Sequence, residues 1–401
     1  GFPSLLAAIF ASSSYLQTGP VALTAILTFG ALQGIAEPLT VEYIELAALL
    51  ALMVGLIRLI LGILKLGKIN SLLTDAVVLG FTTGAAILII SSQLPKSLGL
   101  EETSGGITFS LDDKYFFYSK LDEFHRPRKI FRHKIGSSPK NDELIFEEKS
   151  DAFTVGISLS SDEKFFFITT SDHNTSEQYY FDVNENKPKP KLIKKRKKGI
   201  IYSVNSWNGL FYCHTNENAE DFKIEKCNDL SKQNWEIYIA PKNETLIGGL
   251  IFLNNWIIRG EKSNALGKLF VKNNQTEIEE ELNFTDEKVI VPSVSLIQRD
   301  RNTDLVYLSY SSPKTPNKTY LYNLKTKDKK LIKEQEIPSG HSPDDYIVER
   351  LECPSHDGRL VPITITRHKK TKIDGSANLL LYGYGSYGSS MNPDFSSTKF
   401  S

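Results

Sequence analysis

The sequence predicts a mixed fold: an α-helical transmembrane fragment over residues 1–100, an incomplete β-propeller of about five blades over 101–340, and the first strands of an α/β domain over 341–401. Three observations predict it. Residues 1–100 carry only four of the chain's 47 basic residues (Arg58, Lys65, Lys68, Lys96) and four of its 47 acidic ones (Glu37, Glu42, Glu45, Asp75). The motif Asp112-Asp113-Lys114-Tyr115-Phe116-Phe117-Tyr118 recurs 50 residues later as Asp162-Glu163-Lys164-Phe165-Phe166-Phe167-Ile168. Near the C-terminal end, the apolar run Leu379-Leu380-Leu381 feeds a glycine-rich loop.

The first hundred residues hold four apolar runs, at 2–14, 20–35, 46–64 and 76–90. The third contains one charge, Arg58. At about 1.5 Å per helical residue its length nearly matches a hydrocarbon core of roughly 30 Å. Arg58 lies toward the end bearing Lys65 and Lys68, where a long side chain snorkels to the interface. The positive-inside rule places Lys65 and Lys68 in the cytoplasm and the loop bearing Glu37, Glu42 and Glu45 outside. Gly19-Pro20 opens the second run as a helix start, because proline suits the first turn and lacks an N–H that would be orphaned there. The free N–H groups of such a start suit an anion. These runs imply a multi-pass membrane location with the lipid bilayer as a partner.

Gln17-Thr18-Gly19-Pro20-Val21-Ala22, Gly80-Phe81-Thr82-Thr83-Gly84-Ala85-Ala86 and Ser91-Ser92-Gln93-Leu94 resemble the SulP sulfate permease family. The resemblance covers residues 1–100. It implies an inorganic anion such as sulfate as partner, with Gln17, Thr18 and Gly19 beside it. The family's fourteen spans and its STAS domain are not matched here.

From residue 101 the texture becomes short β-type runs between turns. An aromatic strand after a Ser-x-Asp turn, repeating at 50 residues, is how a propeller blade shows itself. Weaker units follow at 199–213, 235–259 and 289–310, with further strands at 129–133 and 319–324. Eight basic residues crowd into 187–198. With prolines at 188 and 190 and no interleaved aromatics they read as a solvated inter-strand loop, and zero net charge gives no overall case for nucleic acid. Cys213, Cys227 and Cys353 lie too far apart for a zinc or disulfide framework, so a reducing compartment suits this part. Neither a cofactor nor a metal is implied.

Beyond residue 340, strands are expected at 346–353, 360–367 and 378–382, with His356-Asp357-Gly358-Arg359 turning between the first two. The continuous apolar third strand is the kind buried on both faces. It runs into Tyr382-Gly383-Tyr384-Gly385-Ser386-Tyr387-Gly388, a loop able to position an oxyanion hole.

Several stretches together resemble the oligopeptidase B group of the prolyl oligopeptidase family of serine peptidases. They are Thr103-Ser104-Gly105-Gly106, Leu121-Asp122-Glu123-Phe124-His125-Arg126-Pro127-Arg128-Lys129, Asp142-Glu143-Leu144-Ile145-Phe146-Glu147-Glu148, Ser355-His356-Asp357-Gly358, the 381–388 loop and Pro393-Asp394-Phe395-Ser396-Ser397. The resemblance implies a cytoplasmic serine-type endopeptidase whose propeller caps an α/β-hydrolase domain and whose substrates are peptides cut after Arg or Lys. Tyr384 matches the oxyanion-hole hydroxyl, and Tyr387 an aromatic near the substrate pocket. The sequence contains no Gly-x-Ser-x-Gly elbow, and its seven histidines all fall at or before residue 368. The catalytic Ser, Asp and His are therefore expected beyond this chain, and the chain is expected to be inactive. The abrupt change near residue 100 also fits a chimeric gene-fusion product with no activity.

Overall fold

The computed structural model describes Thr28, Leu32 and residues 40–63, 104–386 and 389–399. The chain divides into two compact units, residues 1–104 with 133–142, and residues 105–132 with 143–401.

In the first unit, helix α1 (Val41–Ile63) starts at Thr40, whose side-chain oxygen accepts the Tyr43 N–H at 3.2 Å. That is an N-cap, and Glu42 complements the positive end of the helix dipole. The described residues contain no helix long and apolar enough to cross a membrane. This corrects the expected transmembrane fragment, and with it the membrane location. The physical reason lies in α1 itself. Glu42 and Glu45 occupy its first turns, so the start of the helix is charged. The runs at 2–14 and 76–90, and nearly all of 20–35, lie outside the described residues.

The second unit is built from sheet. Five four-stranded antiparallel sheets follow one another along the chain. Blade one is β1 (Ser104–Phe109), β2 (Tyr115–Leu121), β3 (Pro127–Lys134) and β4 (Glu143–Glu147). Blade two is β5 (Thr154–Leu159), β6 (Phe165–Ser171), β7 (Ser176–Asp182) and β8 (Lys191–Lys194). Blade three is β9 (Tyr202–Trp207), β10 (Leu210–Thr215), β11 (Lys223–Cys227) and β12 (Glu236–Ile239). Blade four is β13 (Thr245–Phe252), β14 (Trp256–Ser263), β15 (Leu266–Asn273) and β16 (Glu279–Glu281). Blade five is β17 (Val291–Leu296), β18 (Leu305–Ser311), β19 (Lys318–Asn323) and β20 (Lys329–Glu334).

Each blade buries one face against its neighbour, as propeller blades do. Phe117, Ile130, Phe166, Ile168 and Phe181 join blades one and two. Phe167, Tyr202, Val204 and Cys213 join two and three. Trp207, Tyr212, Ile247 and Phe252 join three and four. Trp256, Ile258, Val306, Leu308 and Tyr310 join four and five. Every residue of β20 is exposed, in keeping with its place at the edge of its sheet.

The 50-residue repeat has a common structural cause. Ser110 Oγ accepts the Tyr115 N–H at 3.0 Å and donates to Asp112 Oδ1 at 2.7 Å. Ser160 does the same with Phe165 at 3.0 Å and Asp162 at 2.8 Å. In both turns the residue after the aspartate is left-handed, Asp113 at φ 55° and Glu163 at φ 59°. Short polar side chains satisfy the turn's backbone, and the aromatic strand that follows enters the core.

Beyond the blades, β21 (Tyr346–Pro354) and β22 (Leu360–His368) pair as an antiparallel hairpin, Tyr346 opposite His368. The expected third strand does not form. Residues 378–382 are unpaired, and Leu379, Leu380 and Leu381 are about four-fifths exposed. An apolar run becomes an interior strand only where neighbours supply its hydrogen bonds, and the described residues offer none on either side.

Candidate functional site

The loop after residue 381 is where the sequence places its reactive groups. Tyr384 is half exposed, its backbone carried by an extended, unpaired segment. An added side chain at Gly383 or Gly385 would meet nothing within 4 Å. The loop is open at both glycines. Tyr387, Gln17, Thr18 and Gly19 lie outside the described residues.

The hairpin that precedes this loop is seated on the blades by polar contacts. Arg350 donates to the Asn264 carbonyl and, at 2.8 Å, to Thr364 Oγ1. Asn264 Nδ2 reaches Glu352 at 3.3 Å, and Lys262 Nζ reaches Ser390 Oγ at 2.8 Å. Asn264 and Ala265 form the tight β14–β15 turn, both with positive φ. On blade five, His341 Nε2 lies 2.6 Å from the Lys314 carbonyl, so that nitrogen carries the proton. The His341 ring stacks on Tyr346 at 5.0 Å and meets the edge of Phe395 at 4.9 Å. Tyr346 in turn meets His368 edge-on at 5.4 Å. An open cleft of about 440 Å³ runs beside this cluster, lined by Pro316, Glu334, Glu336, Ile337 and His341. Tyr384 is not among its walls.

Nucleophilic catalysis of the triad type needs a nucleophile, a base and a group that orients the base. Ser355 Oγ and His356 Nδ1 are 3.3 Å apart, and both are exposed neighbours in one turn. Asp357 faces Arg359 at 3.8 Å. No described carboxylate fixes the imidazole of His356, so these three residues form a solvated turn. His341 and His368 belong to the aromatic seat of the hairpin. His214 bonds the Ile247 carbonyl at 2.7 Å and stacks on Phe222, and burial lowers its pKa. His133 is buried against Asp142 at 2.7 Å. Among the described residues no group of three His, Cys, Asp or Glu is placed to hold a metal ion.

Nothing local in the chain shows how the basic run at 187–198 is used. Residues Lys191–Lys194 form β8, and the following arginine turns inward. Arg196 Nη1 and Nη2 donate to the two oxygens of Glu148, both at 3.1 Å, and its backbone N–H donates to Glu177 at 2.9 Å. Its guanidinium lies 4.2 Å from the Phe153 ring. Lys194 reaches Glu225 at 3.3 Å and the Trp235 ring at 4.6 Å, and Lys197 reaches Glu217 at 2.5 Å. Burial and the Glu177 hydrogen bond push the Tyr179 hydroxyl up to about 12. Much of the run is thus internally neutralised. The acids that meet it are up to 48 residues away in sequence, which no local reading of charge reveals.

Comparison with known proteins places these observations. The family model for the prolyl oligopeptidase N-terminal β-propeller domain matches residues 88–335, and that for the sulfate permease family matches residues 2–123. "Protease 2" of Moraxella lacunata is 33% identical over 285 residues, covering 70% of this chain and 40% of that protein. "Probable sulfate transporter 4.2" of Arabidopsis thaliana is 46% identical over 97 residues, covering 24% of this chain and 14% of that protein. In fold, the chain is similar to oligopeptidase B from Trypanosoma brucei with covalently bound antipain: the TM-score is 0.68 at 23% identity, covering 74% of this chain and 43% of that one. It is similarly close to oligopeptidase B from Leishmania major, with a TM-score of 0.64. The chain spans about two fifths of the length of the curated peptidases it matches. Through its five four-stranded blades and the match over residues 88–335, the chain belongs to the prolyl oligopeptidase family, by that family's N-terminal β-propeller domain.

Proposed function

We propose that this chain carries the propeller and the opening strands of a serine-type endopeptidase like oligopeptidase B, acting on peptides after Arg or Lys, and that as this chain it does not turn over peptide. The observation that carries the reading is the continuity from five stacked blades through the β21–β22 hairpin into the Tyr-Gly-Tyr-Gly loop. Tyr384 is the group that would stabilise an oxyanion, and Tyr387 the aromatic beside the peptide. Removing a single oxyanion donor costs about 100- to 1,000-fold in rate where the rest of the machinery exists. Here a hydroxyl without nucleophile or base has nothing to stabilise. Incubating the purified chain with a fluorogenic Arg-containing peptide tests this, and the expected rate is that of the buffer blank. Turnover above the blank that disappears in Tyr384→Phe would overturn it.

A second reading concerns the first hundred residues, and the sulfate permease similarity over residues 2–123 favours it. In it Gln17, Thr18 and Gly19 contact an inorganic oxyanion such as sulfate. Equilibrium dialysis of the whole chain against radiolabelled sulfate measures it. Binding that Thr18→Val weakens supports the assignment, and no binding at millimolar sulfate sinks it.

A further inference from the structure

The connection between β17 and β18 reaches a blade that is not its neighbour. The β5–β6 turn meets the end of β9, and the β13–β14 turn meets the β17–β18 connection. There the neighbouring blades are tied in series. Ser161 and Asn205 exchange two hydrogen bonds of 2.9 Å, and Ser206 Oγ donates to Asp162 at 2.8 Å. Trp207 stacks on Phe252 at 5.6 Å. The Asn254 N–H donates to the Arg301 carbonyl at 3.0 Å, and Trp256 Nε1 donates to Asp304 at 2.7 Å. These contacts run from blade two to blade five. The series is then closed by a direct pair, Arg299 Nε donating to Glu163 Oε1, from blade five back to blade two.

We infer that residues 297–304 are a strap drawn across this end of the blade axis, latched on Glu163 by Arg299, and that salt releases it. Glu163 projects because its backbone is left-handed at the apex of the β5–β6 turn. The corresponding residue of blade one is Asp113, one methylene shorter, and blade three turns with Asn208-Gly209, which carries no charge. Among the described first turns, blade two therefore presents the long acid that the strap needs. The root of the strap is firm, because Arg301 donates to the Phe252 carbonyl at 3.3 Å. The tip is exposed, Arg299 being 65% and Glu163 38% accessible at the side chain. An ion pair so placed is screened by salt and easily parted.

Limited trypsin digestion of the full chain, followed by mass spectrometry, tests the strap. The rate of cleavage after Arg301 is divided by the rate after Lys325, an exposed site in the β19–β20 turn that does not touch Glu163. The ratio is expected to rise about two- to fivefold in Glu163→Arg, the effect of removing one exposed ion pair on an opening equilibrium. Molar salt is expected to raise the wild-type ratio toward the same level. The double variant Glu163→Arg with Arg299→Glu is expected to bring the ratio back toward wild type. A ratio unchanged in Glu163→Arg overturns the strap. So does a double variant no better protected than the single one. Equal acceleration at both sites also overturns it, because Glu163 would then brace the fold as a whole.

Discussion

Glu148 and Arg196 stand 48 residues apart in the chain and meet as a two-pronged pair, each guanidinium nitrogen 3.1 Å from its carboxylate oxygen. Glu148 follows the last strand of blade one, and Arg196 follows the last strand of blade two. The Ser150 N–H bonds the same carboxylate at 2.8 Å. The pair therefore fixes two successive blade connections to each other.

Acid should loosen this junction. Burial works to raise the Glu148 pKa, but the Arg196 hydrogen bonds, the Ser150 N–H and the Arg196 charge together hold it below the ordinary glutamate value. A carboxyl depressed in the folded state contributes stability above its unfolded pKa and loses that contribution as pH falls through the folded value. The side chain of Glu148 is 3% exposed, so Glu148→Gln leaves Arg196 short of its counter-charge and costs about 2–4 kcal/mol at pH 7. The difference between wild type and variant should begin to shrink as pH falls below the ordinary glutamate value of about 4.3, and vanish only once pH has dropped through the lower folded value. Urea melts of both chains at pH 7 and pH 3.5 measure it. A difference that stays constant with pH would mean that the charge is not what Arg196 holds.

The aromatic core between blades makes a sharper demand. Phe166 is 1% exposed, its ring 4.7 Å from Phe117 and 5.3 Å from Phe181. Truncating it leaves a cavity that two stacked sheets cannot close, so Phe166→Ala should cost about 3–5 kcal/mol. Phe124, 68% exposed in the β2–β3 turn, is the control, with Phe124→Ala expected within about 0.5 kcal/mol of wild type. Chemical denaturation distinguishes them. Equal effects would place Phe166 outside the core described for blades one and two.

Adjacent glycines in β13 make opposite predictions. The register of β13 on β14 shifts between Ile247 and Leu250, so Gly248 and Gly249 form an irregularity in the pair. A Cβ at Gly248 would lie 2.8 Å from the Gly260 carbonyl oxygen, closer than backbone atoms allow. A Cβ at Gly249 meets nothing within 4 Å. Gly248→Ala should cost about 1–3 kcal/mol through backbone displacement, and Gly249→Ala should stay within about 0.5 kcal/mol. Thermal melts of the two variants decide it, and a well-tolerated Gly248→Ala would mean that β13 and β14 part easily at this point.

What the sequence makes legible follows from the range of the physics involved. The Ser-x-Asp turn closes on a residue five positions ahead, so a local pattern announces blades one and two. The edge strands are harder to see because β16 (Glu279–Glu281) is three acidic residues, a strand only because β15 supplies its hydrogen bonds. Leu379-Leu380-Leu381 fails in the reverse sense, reading as a buried strand although no described neighbour pairs with it. Hydropathy alone likewise reads the 46–64 run as a membrane span and leaves out of account Glu42 and Glu45 in the first turns of the same helix. At the candidate site, Tyr384 is legible by its motif, but its open surroundings are not. The burial of Arg196 depends on an acid in another blade, and the link from Arg299 to Glu163 crosses 136 residues.

The cysteines offer a last test, because burial alone separates them. Cys213 is fully buried on β10 between blades two and three, and desolvation pushes its thiol up to about 12. Cys227, on the adjacent β11, is also buried, and desolvation raises its thiol as well. Cys353 is exposed on β21. Alkylation requires a thiolate that the reagent can reach. At pH 8, iodoacetamide should therefore modify Cys353 alone in the folded chain, and all three thiols once urea opens the blades. A thiol held neutral by burial favours the folded state at pH values below its unfolded pKa and loses that contribution progressively between the unfolded and the folded value. Cys213 should consequently stay protected from pH 7 to 9, with the exposed Cys353 labelled throughout. Mass spectrometry of the alkylated peptides reads both trends. Native-state labelling of Cys213 at a rate near that of Cys353 would show that blades two and three separate far more often than their shared core of Phe167, Tyr202 and Val204 allows.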